Sequence, residues 1–318
     1  MLLLLSLTIV LAGSSAAKAA AAAAFRHQLP LNGGLTRREI SINTTDYLAL
    51  TIDIPTDHYN SSDARTYKNR YWVNARYYRR GGPVFFFDSG EQNAHPLVPY
   101  FLYEAAGPSS VMTMARRFNG LAIVFEHRFY GDLHEGSFPF AMIATTGMAE
   151  GGYEAYKSLT TEQALEDPVY FAHHFEPPGL RKHWPLLNPK YTPWVWLGGS
   201  YPGILGAMMR VRNPETFYAT WASSAPTEAA VDMWTYYAQA ERSMTRNCSA
   251  GYTHVTNYVD SILTNSTTTE VGDLKYALYK AVLSGPRGQT PSYVNRTEAE
   301  GLSNASVAGY LLLPLSFY

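Results

Sequence analysis

The chain has a single cysteine, Cys248, in 318 residues. An odd cysteine is either a free thiol or one whose partner lies elsewhere. Charge is also scarce. Only 16% of residues are charged and the net charge is −1, so nothing in the composition favours nucleic acid or an anionic membrane. No metal-ligand spacing such as H-E-x-x-H occurs and no phosphate-binding loop, so neither a metal nor another cofactor is expected. The one long apolar run, Met1 to Ala12, is too short to span a bilayer. Internal repeats are absent, and the alanines before Phe25 are the only biased tract.

What is present is apolar and aromatic. Hydrophobic residues make up 46% of the chain, with 24 Tyr and 6 Trp, enough to bury a large core in one or two domains. The apolar start, the small residues behind it and Ala17-Lys18-Ala19 as a cleavage site read as a signal peptide over 1–24, with an uncleaved anchor as the alternative. Six N-x-[ST] sequons, at Asn43, Asn60, Asn247, Asn265, Asn295 and Asn304, agree with passage through a secretory pathway. The expected destination is extracellular, the alternative a vacuolar or lysosomal lumen, with no membrane association after cleavage.

Alternation over Leu48–Pro55 and the aromatic-rich stretch Thr66–Tyr77 predict two strands of a hairpin, with turn residues from Asp57 to Asp63 between them. Short apolar runs at Gly82–Asp88, Gly120–Glu126, Tyr191–Leu197 and Tyr218–Ser224 read as strands of a buried parallel sheet. Helical patterns separate them, over Pro99–Phe118, over Ser158–Phe175 with Thr160 and Gln163 at capping-box spacing, and after residue 200. This series predicts a doubly wound α/β sheet. Beyond Ala225, residues 227–245 and 252–284 read as helices with no strand between them.

Gly198-Gly199-Ser200-Tyr201-Pro202-Gly203 joins the third of those runs to a helix. A serine on a tight strand-to-helix turn is a nucleophile elbow, whose strained backbone needs small neighbours and whose helix N-terminus suits an oxyanion. Serine needs a base to take its proton. In α/β-hydrolases the acid and then the histidine follow the serine in the chain. His254 is the one histidine after Ser200, and it lies in a helical, sequon-rich stretch with no strand before it. Its bland reading is a surface helix histidine. His95, His127, His134, His173, His174 and His183 precede the serine, in the wrong order.

Gly-Gly-Ser-Tyr-x-Gly resembles the elbow of the prolyl carboxypeptidase and dipeptidyl peptidase II family of serine peptidases, which includes fungal acid prolyl endopeptidases. Arg70-Tyr71-Trp72, Gly82–Phe87 with Gly90-Glu91, Glu126-His127-Arg128-Phe129-Tyr130-Gly131 and Leu159–Asp167 are similar to its other signatures, in order. The resemblance covers about Leu48 to Glu228. It implies an α/β-hydrolase-type sheet over 25–225, incomplete, and the first part of a helical cap over 226–318, with the acid and base beyond residue 318. It also implies a peptide or protein substrate, cleaved after proline.

By the same resemblance Ser200 is the nucleophile. Its oxyanion hole would use the Tyr201 N–H and one near Ser89 or Gly90, and Glu91 and Glu126 are candidates to hold a charged substrate end. Three alternatives stand beside these readings. Glu126, His127 and Arg128 could form a structural ion-pair cluster, while Glu162 and Asp167 read as helix-face or capping residues. The chain could be an esterase or lipase on the same fold, or a catalytically inactive secreted fragment.

Overall fold

The structure, a computed structural model, describes residues 47–131, 156–284 and 294–312. The leader, Asn43 and His134 lie outside them. The described residues fall into two compact units that divide between Glu228 and Ala229.

The first unit is a six-stranded sheet, ordered β1-β2-β4-β3-β5-β6. Its strands are β1 (Leu50–Pro55), β2 (Thr66–Asn74), β3 (Val84–Asp88), β4 (Leu121–Phe125), β5 (Trp194–Gly199) and β6 (Ala219–Ser223). β1 and β2 form the expected antiparallel hairpin, with Leu50 opposite Tyr71 and Pro55 opposite Thr66. Asp57, Asn60 and Asp63 build its turn, each accepting the backbone N–H two residues on. β2 meets β4 antiparallel, and the pairs β3–β4, β3–β5 and β5–β6 are parallel.

Parallel neighbours need crossovers. These are supplied by α1 (Ser110–Phe118), α2 (Thr161–His174) and α3 (Tyr201–Arg212). The central strands are apolar on both faces because both are covered. Val84, Phe86, Leu121, Ile123, Phe125, Trp194 and Trp196 face one core with Phe171 of α2 and Leu205 and Met209 of α3. Phe85, Ala122, Val124 and Leu197 face the other, with Val111, Met112 and Ala115 of α1. This is the doubly wound sheet that the alternation predicts, of the α/β-hydrolase type that the resemblance implies, with β6 at its edge among the described residues.

Two helical expectations need correction. The pattern over Pro99–Phe118 is a single turn at Val98–Phe101 and then, separately, α1. Gly107 adopts φ +118° and Pro108 brings no N–H, so the chain breaks there and Ser109 caps a new helix by accepting the Met112 amide. In the second unit the two predicted helices are three: α4 (Trp234–Ser243), α5 (Arg246–Asn265) and α6 (Thr268–Ser284). The break falls where Thr267 and Glu270 form a reciprocal capping box that starts α6 afresh. α7 (Arg296–Glu300) and α8 (Asn304–Gly309) follow, and Tyr279, Ala299 and Tyr310 form the small core. Among the described residues no helix is long and apolar enough to cross a membrane.

Candidate active site

β5 ends at Gly199 and α3 begins at Tyr201, so Ser200 alone turns the chain. Its φ of 59° and ψ of −124° lie where side-chain-bearing residues are strained. Such strain persists only when the surroundings over-determine it, and here they do. The Ser200 N–H donates to the Ser223 carbonyl of β6 at 2.9 Å, and the Ser200 carbonyl accepts from the Gly203 and Ile204 amides. The indole N–H of Trp196 donates to the Pro202 carbonyl at 2.9 Å, tying the helix start to the strand. A Cβ at Gly198 would stand 2.3 Å from that same carbonyl oxygen, so only glycine lets β5 and α3 come this close. The Ser200 side chain is exposed and does not cap the helix.

Helix starts leave amides without intrahelical acceptors. At α3 the count is short. Pro202 has no N–H, and Gly203 and Ile204 turn back to Ser200. Among the described residues the Tyr201 amide is therefore the donor beside Ser200 with no acceptor. The loop after β3 packs onto the same turn, since a Cβ at Gly90 (φ +65°) would lie 2.4 Å from Pro202 Cγ.

That loop does not offer the amide expected of it. The Gly90 N–H donates to Asp88 Oδ1 at 2.7 Å and the Ser89 N–H to the Phe125 carbonyl at 3.0 Å. Asp88 closes an Asx turn that consumes the donor. The next amide along the loop is that of Glu91, which faces its own carboxylate.

Acidic groups gather under the turn. Asp88 is fully buried, and its desolvation pushes the carboxyl up to about 7 against the opposing Gly90 bond. Burial also raises Glu91, which has no ion pair among the described residues. Tyr201 is raised by burial and by the neighbouring Asp88, Tyr130 and Glu91.

Glu126-His127-Arg128-Phe129-Tyr130-Gly131 follows β4 and separates into distinct tasks. Glu126 is buried, and Arg70 bonds both its oxygens at 2.8 and 2.7 Å while Ala94 donates a further amide. This weighs against Glu126 as a holder of a substrate end: its carboxylate is buried and its charge is already matched by Arg70. Arg128, fully buried, pairs with Asp167 of α2 through two bonds of 2.6 Å. Asp167 also accepts from Tyr67 at 2.8 Å and meets His58 at 2.7 Å. Burial alone would raise the Asp167 carboxyl, but the Arg128 charge and the His58 bond hold it at about 2.

Asp167 is thus a core anchor rather than the helix-face or capping residue expected, because α2 turns that side inward. Glu162 keeps its place in the exposed first turn. The supposed single ion-pair cluster is two separate pairs, and His127 belongs to neither. Its Nδ1 meets the Arg128 carbonyl at 2.8 Å and its Nε2 meets the Tyr201 hydroxyl at 3.4 Å.

No described hydrogen bond reaches the Ser200 hydroxyl. His254 is exposed on α5. His95 stacks on Trp72, His173 meets Thr216, His174 bonds the Tyr170 carbonyl, and His183 packs on Tyr78. Among the described residues no group of three His, Cys, Asp or Glu is placed to hold a metal. Cys248 is an exposed free thiol, and Asn60, Asn247, Asn265, Asn295 and Asn304 are exposed. The Asp88 turn and the His127–Tyr201 contact escaped the sequence reading. The signal for the first was an acid two residues before a glycine at a strand end.

Residues 54–281 match the family profile described as serine carboxypeptidase S28. A protein of Arthroderma benhamiae described as a probable extracellular serine carboxypeptidase is 31% identical over 253 residues, covering 76% of this chain and 32% of its own. The mouse thymus-specific serine protease is 32% identical over 209 residues, covering 63% and 34%, and its human counterpart 30% over 203, covering 61% and 33%. The chain spans about a third of the length of these relatives. Among solved structures, a proline iminopeptidase from Mycobacterium smegmatis is 12% identical with a TM-score of 0.39, over 82% of this chain and 69% of that one, too loose to carry an argument.

Proposed function

The chain belongs to the serine carboxypeptidase S28 family, and on that premise we propose that the protein is a secreted serine peptidase that cleaves peptide bonds after proline through an acyl-enzyme on Ser200. The observation that carries the reading is the elbow: a strained, exposed Ser200 with the unpaired Tyr201 amide beside it.

Ser200 Oγ attacks the scissile carbonyl carbon as its proton passes to a base, giving a tetrahedral oxyanion. The Tyr201 amide is the donor proposed for that charge, joined by the Glu91 amide once it leaves its own carboxylate, and such donors give most where they are fixed in advance. Collapse expels the amine, which takes up the proton, and leaves the ester on Ser200. Water then attacks the ester by the same route and frees the acid. Glu91, without an ion pair among the described residues, is the group proposed to hold a charged substrate end.

The base and the acid that orients it are proposed to lie outside this chain's 318 residues. Two facts support this: no histidine is bonded to Ser200 among the described residues, and the matched stretch covers only 32%, 34% and 33% of the curated relatives. Secretion is supported by the leader, the sequons and the extracellular relative.

The test is fluorophosphonate labelling and hydrolysis of a prolyl anilide by the full-length protein. Wild type should be labelled and active, and Ser200→Ala neither. Hydrolysis of short-chain esters without the anilide would overturn the peptidase assignment in favour of an esterase.

A further inference from the structure

His127 sits in the middle of the Glu126–Gly131 segment, yet its neighbours' ion pairs make no use of its ring. Its Nδ1 faces the Arg128 carbonyl at 2.8 Å. A carbonyl only accepts, so Nδ1 carries the proton. The ring is buried, which holds it neutral with its imidazolium form pushed down to about 4. A neutral ring protonated at Nδ1 leaves Nε2 as a pure acceptor. Its partner is the Tyr201 hydroxyl, at 3.4 Å and with the ring centroids 5.5 Å apart.

The ring has little freedom to do anything else. On one side Glu126 is fixed by Arg70, and on the other Arg128 is fixed by Asp167. Phe129 takes φ +72° and is buried, and a Cβ at Gly131 would strike the Glu126 carboxylate at 2.1 Å, so the segment curls tightly behind the ring. Tyr130 packs on His127 edge-on at 5.3 Å. Asp88, Glu91 and Tyr130 are the titratable groups around Tyr201, and Arg128 and Asp167 those acting on His127.

We propose that His127 is a positioning residue for the reaction: as the Nδ1–H tautomer it accepts the Tyr201 hydroxyl and thereby fixes the residue whose backbone amide faces the oxyanion. Tyr201 is the first residue of α3, so a swing of its side chain reaches the amide through one Cα. The buried Arg128–Asp167 pair then serves the elbow as well as the core, because Arg128 supplies the carbonyl that selects the tautomer. The inference rests on Ser200 being the nucleophile.

In the full-length protein, Tyr201→Phe keeps the ring and removes the bond. It should lower kcat about fivefold to tenfold and leave KM within about twofold, the signature of a group that acts only in the transition state. His127→Phe should do the same. The double variant should be no slower than either single one, since both remove one interaction. His127→Gln, whose amide oxygen can accept the hydroxyl, should recover most of the rate. Tyr201→Phe at full kcat, or losses that multiply in the double variant, would overturn the inference while wild-type labelling leaves the peptidase reading intact. Wild type that is not labelled at all would overturn both.

Discussion

Asp88 is a carboxyl that the fold would rather keep protonated. Its only described bond is to the Gly90 amide, it is 1% exposed, and burial raises it from 3.8 to about 7, with Glu91 and Asp167 adding to the rise. An acid raised in the folded state binds its proton more tightly folded than unfolded. It therefore costs nothing well below pH 3.8, where both states are protonated, and its penalty grows as pH rises to about 7. Three units at 1.36 kcal/mol each give a penalty of up to about 4 kcal/mol at pH 8, and about 2 kcal/mol at pH 5.

Asp88→Asn keeps an oxygen for the Gly90 amide and removes the charge. The variant should be more stable than wild type at pH 8, by a margin that shrinks steadily and all but vanishes at pH 4. Urea denaturation followed by the fluorescence of the buried Trp194 and Trp196 at pH 4, 5, 6.5 and 8 measures it. A margin that does not change with pH would refute the reasoning, and so would a variant weaker than wild type at pH 8.

Asp167→Asn leaves Arg128 buried without its counter-charge, and should cost about 3–5 kcal/mol in the same assay. Gly198→Ala should prevent the elbow from forming, so that soluble protein either does not accumulate or is not labelled at Ser200, because the new methyl meets backbone and not a movable side chain. Peptide-N-glycosidase treatment of secreted protein should increase its gel mobility. Replacing Asn60, Asn247, Asn265, Asn295 and Asn304 by Gln should remove most of that shift, as all five are exposed.

The sheet was legible because its signals are local. Apolar runs such as Val84–Phe87 and Leu121–Phe125 are too short for helices and read as two-faced strands, and Gly198 to Gly203 names its own turn. Helix ends were less legible, since whether Gly107-Pro108 or Thr267 interrupts a helix depends on caps one residue wide. The site was legible only in its first member. Whether Glu126 binds a ligand or Arg70 turns on a contact 56 residues away, and the Asp88 turn that consumes the Gly90 amide shows only once the loop has a shape. Asp167 was misread for the same reason. On a helix, an acid facing water and an acid facing a buried arginine are spelled alike.

The bond from the Ser200 amide to Ser223 has a consequence in time. Ser200 is the last residue before α3, but the carbonyl that holds its backbone belongs to β6, made later on the ribosome and only after α3 has crossed the sheet. Until β6 docks, the φ of 59° is held only from the α3 side, by the bonds from Gly203 and Ile204 back to Ser200 and from Trp196 to Pro202. The strained turn is therefore expected to be completed only when β6 docks. Hydrogen exchange at the Ser200 amide should accordingly rise and fall with that of β6, not with that of β5.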